Sequence, residues 1–332
     1  MLPKAELHVH IEGTLEPELL VRLAARNAIA LPTTDVEALR RRYRFSDLQS
    51  FLDVYYESQA VLRTEEDFYD LAGAYLQRAA GQGVRRAEIF FDLQQHLDNE
   101  IEAGTVFSGL DRALRESRES HGVDAALIMC FLRDRGPEAA MRALRAAMPF
   151  RDRFIGVGLD SSELGHPPSR FRDVFAAAAS EGLHRVAHAG EEGGPDYVWE
   201  ALDDLHVERI DHGNRAMADP ALVERLRSEG IPLTVCPLSN VALKVVDRLD
   251  EHVLPRMLAE GLCVTLNSDD PAYFGGYVED NFVAVREHLG LDEQALLTMA
   301  ANSFDACFAD EARREAWKAE LHGTSSGSAP VP

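Results

Sequence analysis

The sequence predicts an α/β protein folded as a single (β/α)8 TIM barrel, on three observations. Short apolar runs rich in β-branched residues recur eight times, helix-like segments separate most of them, and polar residues able to bind metal or carry protons stand at the ends of several runs. Strand alternating with helix calls for a parallel sheet. A doubly wound sheet would need a reversal of strand order, which a sequence cannot show, and eight strand–helix units match the barrel.

The runs are Ala5–His10, Arg86–Asp92, Ala125–Leu132, Phe154–Asp160, Arg185–Ala189, Arg209–His212, Pro232–Pro237 and Leu262–Asp269. Between them, Asp67–Ala80, Gly109–His121, Pro137–Met148, Arg170–Ser180, Pro220–Glu229 and Val253–Glu260 carry apolar residues three and four apart, the spacing of a helix with one buried face. After the first run an insertion, Leu31–Thr64, holds Tyr43, Phe45 and then Phe51 to Tyr56 at helical spacing. It either packs on the barrel wall or forms a lid over the mouth. Residues 1–321 therefore read as one domain, and 322–332, rich in Gly, Ser and Pro, as a flexible tail. Gly323-Thr324-Ser325-Ser326-Gly327 in that tail matches GxSxG, but a nucleophile elbow needs a strand before it and a helix after it.

The chain has 332 residues, 46% hydrophobic and 27% charged, within ordinary globular usage, and this excludes a disordered or collagenous chain. A net charge of −22 repels phosphate backbones and anionic lipid, so neither nucleic acid nor membrane is expected as partner. A small, neutral molecule fits better. Cys130, Cys236, Cys263 and Cys307 have no regular spacing and sit among apolar residues, as reduced core thiols of a cytoplasmic protein do. The sequence does not specify an oligomeric state.

His8 and His10 stand two apart near the end of the first run, so both imidazoles project from one face of a strand. A lone His-x-His pair is a weak sign. His188, His212 and Asp269 end three further runs, and in a barrel all these ends converge on the face where active sites are built. Three imidazoles and one carboxylate, His8, His10, His188 and Asp269, suit an open catalytic zinc, with iron or manganese as options. Two groups then remain for the chemistry of a hydrolytic metal site. His212 can take the proton of the bound water and hold the hydroxide in line, and Glu191, once desolvated and protonated, can donate to a ring nitrogen. Asp270, Glu12 and Glu163 are placed to meet the polar edge of a substrate, although an Asp before Pro271 also suits a plain turn.

The segments His8-Val9-His10-Ile11-Glu12-Gly13, His188-Ala189-Gly190-Glu191, Asp211-His212-Gly213 and Ser268-Asp269-Asp270-Pro271 together resemble the four signatures of the adenosine and adenine deaminase family within the amidohydrolase barrels. The resemblance runs from Pro3 to about Phe308. It implies zinc on His8, His10, His188 and Asp269, Glu191 as proton donor to purine N1, and His212 acting on the zinc-bound water. It also implies that Asp270 accepts a hydrogen bond from the N7 side of the purine.

Glu12 in the first signature and Asp160-Ser161-Ser162-Glu163 after the fourth run depart from the adenosine-specific pattern and resemble the adenine branch, whose close relatives act on N6-substituted adenines or aminofutalosine. That branch implies adenine as substrate, hypoxanthine and ammonia as products, a role in purine salvage, and Glu163 as acceptor for the N9–H that adenosine lacks. Two rivals share much of the pattern: an amidohydrolase acting on another ring or an ester, and a purine-binding barrel without catalysis. The cytidine-type zinc signature is excluded, because His206-Val207-Glu208 has no Pro-Cys-x-x-Cys to follow it and Cys236-Pro237 reverses the order. Gly156-Val157-Gly158 lacks the third glycine of a dinucleotide fingerprint.

Overall fold

In the computed structural model, which describes residues 1–325, every apolar run of the sequence becomes a strand. Among the described residues eight strands pair in parallel and in chain order: β1 (Lys4–His10), β2 (Val84–Phe91), β3 (Asp124–Leu132), β4 (Gly156–Asp160), β5 (His184–Ala189), β6 (Arg209–His212), β7 (Leu233–Val235) and β8 (Val264–Leu266). Closure comes from a parallel bridge between Val9 and Asp269, where the His10 N–H donates to the Asp269 carbonyl and the Asp269 N–H to the His8 carbonyl, each at 3.0 Å. The barrel is therefore the expected (β/α)8 fold.

Period-two alternation decides which side chains meet. In β1, Ala5, Leu7 and Val9 face the helices and join the main apolar core, while Lys4, Glu6, His8 and His10 occupy the intervening positions and are also buried. Polar groups in the barrel therefore need partners, and Arg209 at the start of β6 donates to Glu88 of β2 at 2.7 Å with both side chains fully buried. Arg86 donates to the other Glu88 oxygen at 3.0 Å. Phe90, Ile128, Cys130 and Val186 form a separate apolar cluster, and the His8 ring lies 5.1 Å from that of Phe90.

Several boundaries differ from the sequence expectation, and three have a plain consequence for the fold. β7 stops at Val235 because Pro237, which has no N–H for a ladder, opens a helix, Pro237–Ala242. β8 stops at Leu266, with Asp269 turned out of the ladder at φ +66°. The last helix, Glu311–Ser325, runs past residue 322, where the tail was expected to begin, and residues 326–332 of that tail lie outside the described residues. The helix Pro195–Asp203, which the periodicity did not single out, fills the gap between β5 and β6.

The insertion folds as helices Val36–Arg42 and Leu48–Ser58. Its Phe45, Leu48, Phe51, Leu52 and Tyr55 pack with Leu243, Tyr273 and Phe274 as a cluster apart from the main core. The four cysteines are free thiols, three of them buried. No helix among the described residues is long and apolar enough to cross a membrane.

Candidate active site

The ends of the strands carry unusual backbone. Ser161 after β4, His212 at the end of β6 and Asp269 after β8 all have φ between +66° and +69°, a region that L side chains seldom occupy. Each costs on the order of 1–3 kcal/mol, held in place by the surrounding barrel, and such strain gathers at functional sites. Gly13 answers a different demand. A Cβ there would stand 2.0 Å from an Asp270 carboxylate oxygen and 2.7 Å from its Cα, so only glycine lets the chain after β1 pass so close to the end of β8.

These ends bring one set of donors together. The Nε2 atoms of His10 and His188 lie 3.2 Å apart, and Asp269 Oδ1 lies 3.3 Å from His8 Nε2 and 3.5 Å from His10 Nε2. Donors each about 2.0–2.1 Å from one tetrahedral ion stand at about this separation. His8 Nε2 is buried without a hydrogen-bond partner, as a ligand nitrogen is once its metal is left out. His8, His188, His212 and Asp269 also fall within 4.8 Å of one another, so five donors surround the same spot and the set fits a divalent metal. Burial lowers the pKa of His10 to about 4 and that of His188 well below the ordinary value, which keeps both rings neutral, as ligands must be. Behind the ligands, Thr234 Oγ1 lies 3.0 Å from His8 Nδ1 and donates to Asp211 at 2.8 Å, and the Arg133 guanidinium donates to the His188 carbonyl at 2.8 Å.

His212 and Glu191 face each other beside this cluster, with His212 Nε2 3.6 Å from Glu191 Oε2 and 3.7 Å from Asp269 Oδ2. The Asn240 amide oxygen accepts from Asn214 at 2.7 Å and lies 3.0 Å from His252 Nε2, so its NH2 is turned to His212 Nδ1 at 3.3 Å. The imidazole proton then sits on Nε2, toward Glu191 and Asp269. Burial lowers the His212 pKa to about 3. Burial and the Asp269 charge push Glu191 well above the usual carboxylate range, so it is a neutral acid at ordinary pH, as the sequence expects. The same two causes raise Asp270.

A pocket lies over these groups. Its floor includes His10, His188, Glu191, His212, Asp269 and Asp270, and one wall is made by Asp92, Asp160 and Ser161. Leu48, Phe51, Leu52, Tyr55 and Tyr56 of the insertion form its roof, where Tyr56 OH bonds Ser161 Oγ at 3.0 Å. Of the two roles open to the insertion, covering the mouth is the one its side chains take.

Glu163 is a correction. Its carboxylate is buried and accepts four backbone N–H groups, Gly190 at 2.7 Å, Glu191 at 3.1 Å, Glu192 at 2.7 Å and Gly193 at 2.9 Å, and it does not line the cavity. It holds the loop that carries Glu191 and is turned away from any substrate. Glu12 is likewise engaged, accepting from the Asp92 N–H at 3.1 Å and lying 2.8 Å from His96 Nε2. Asp92 and Asp160 were overlooked, although they end the second and fourth apolar runs, the same signal that singled out His188, His212 and Asp269. Asn240 and Thr234 gave no such signal.

Comparison with known proteins agrees with this geometry. The family described as adenosine deaminase matches residues 3–323. An adenine deaminase of Streptomyces coelicolor is 65% identical over 322 residues, covering 96% of this chain and 95% of its own. The crystal structure of an adenine deaminase from Arthrobacter aurescens superposes with a TM-score of 0.97 at 51% identity, over 98% of this chain and 100% of that one. A Burkholderia ambifaria amidohydrolase with bound zinc is 26% identical, with a TM-score of 0.91 over 98% of this chain and 91% of its own. With the match spanning nearly the whole barrel and its signatures lying where the strand ends converge, the chain belongs to the adenosine deaminase family.

Proposed function

We infer that this protein is a hydrolase that converts adenine to hypoxanthine and ammonia. The observation that carries the reading is the buried Glu191 carboxyl facing His212 beside a cluster of metal donors, in a pocket roofed by the insertion. Relatives called adenine deaminase at 51–65% identity support the choice of base. His8, His10, His188 and Asp269 would hold the metal, and zinc is favoured by the nitrogen-rich donor set and by the zinc of the Burkholderia relative. Bound there, such an ion makes hydroxide available near neutral pH.

Glu191 then donates its proton to N1 of the ring, drawing electron density away from C6; the water that adds there breaks the C6–N bond in turn, one of its protons leaving with the amino group as ammonia and the other restoring Glu191. His212, neutral and with its proton on Nε2, orients the attacking oxygen by a hydrogen bond. Asp270 donates to N7, on the same edge of the purine. Free cysteines and the strongly acidic composition are consistent with a cytoplasmic enzyme of purine salvage.

The test is ammonia release from adenine, adenosine and an N6-substituted adenine by zinc-loaded protein under one set of conditions. Strong preference for adenine is the expected result. A nucleoside or N6-substituted base preferred over adenine would overturn the substrate, and activity confined to esters or lactones would overturn the reaction.

A further inference from the structure

With Glu163 turned into its loop, the N9–H of a purine base needs another acceptor. Positions around the barrel narrow the choice. Glu191 follows β5, His212 ends β6 and Asp270 follows β8, so the edge of the ring that runs from N1 through C6 to N7 faces that side of the cavity. N3 and N9 lie on the opposite edge of a purine, which places them toward the wall built by Asp92 after β2 and by Asp160 and Ser161 at the end of β4.

Of that wall, Asp160 is tied to the metal side, with Oδ2 3.6 Å from His10 Nδ1 although its Oδ1 is also buried without a partner, and Ser161 is occupied by Tyr56. Asp92 is 1% exposed and its carboxyl lies against that of Asp160; one of its oxygens, Oδ1, has no hydrogen-bond donor, while the other receives the Tyr55 hydroxyl at a long 3.4 Å. A buried oxygen without a donor is costly, and an arriving N–H would relieve that cost.

We propose that Asp92 is the specificity-determining residue that accepts the N9–H of the base. The proposal rests on the adenine reading above. It explains how the site discriminates at N9 without a charged group on the substrate. A substituent at N9 removes the donor and leaves the carboxylate buried and unpaired, the arrangement in which a site rejects an analogue most strongly.

The experiment compares kcat/KM for adenine and 9-methyladenine in the wild type, Asp92→Ala and Asp92→Asn, with metal content measured on each preparation. The wild type should prefer adenine strongly. Asp92→Ala should lose about tenfold or more on adenine and much less on 9-methyladenine, narrowing the ratio with metal content unchanged. Asp92→Asn, whose amide oxygen still accepts, should regain much of the preference. Should the alanine variant not fold, Asp92→Leu, which keeps bulk and removes the acceptor, should narrow the ratio in the same way.

An unchanged ratio in the variants, or a wild type that treats both substrates alike, overturns the proposal. A wild type inactive on adenine overturns the functional reading instead, so the two failures are distinguishable.

Discussion

Glu191 shows how one carboxyl group becomes an acid at neutral pH. Burial and the charge of Asp269 both disfavour its ionised form, so the proton stays on well above the pH at which a solvated glutamate loses it. Glu191→Gln keeps the shape and removes the transferable proton. Turnover should fall by about 10²–10⁴ with metal content intact, as ammonia release and metal analysis would check. Because the protonated form is the active one, kcat/KM should decline as pH rises through the raised pKa of this group, and that alkaline limb should be absent from the variant. Asp269→Ala acts on the other part of the centre. It removes the carboxylate shared by His8 and His10, so metal analysis should show the loss, and a fully loaded, active variant would place the ligands elsewhere.

At the scale of the element, the loop Gly190–Gly193 is rigid because one side chain satisfies four of its N–H groups. A carboxylate can do this, having two oxygens and no proton of its own to place. Glu163→Gln turns an NH2 toward those donors and should cost about 1–3 kcal/mol in unfolding free energy. The kinetic loss should fall mainly on kcat, since Glu191 rides on the loop while the substrate-facing walls are untouched. Thermal unfolding and steady-state kinetics on the same preparation would check both parts. An equal loss in KM would mean that Glu163 meets the substrate after all.

The whole molecule is held from within by charge as well as by apolar packing. Burial alone would raise the pKa of Glu88, but Arg209 and Arg86 outweigh it and hold the carboxyl below its usual value. The stability this contributes is present above the unfolded value of about 4.3 and is lost as pH falls through the lower folded value. Glu88→Ala leaves two buried guanidinium groups short of a partner and should cost about 3–5 kcal/mol, read from chemical denaturation. The residues that would hold a metal come from β1, from β5 and from the chain after β8, so such an ion would bind the folded barrel. A chelator should therefore lower the melting temperature as well as abolish activity, and added zinc should restore both.

The barrel and the meeting of the candidate site residues were legible in the sequence because both follow from local rules. A buried parallel strand needs an apolar run, alternation sets which residues share a face, and in this fold the ends of the runs converge. His8, His10, His188, His212, Asp269 and Glu191 all come together as those rules require. The partner of a carboxylate is not a local property. Glu163 and Asp92 look alike in the sequence, yet one is consumed by four amides of a loop after the next strand and the other keeps a free oxygen at the cavity wall. The proton position on His212 and the roof made by Leu48–Ser58 likewise depend on neighbours far away in the chain. Which groups are buried beside which charges is set by packing, and only the tertiary structure decides it.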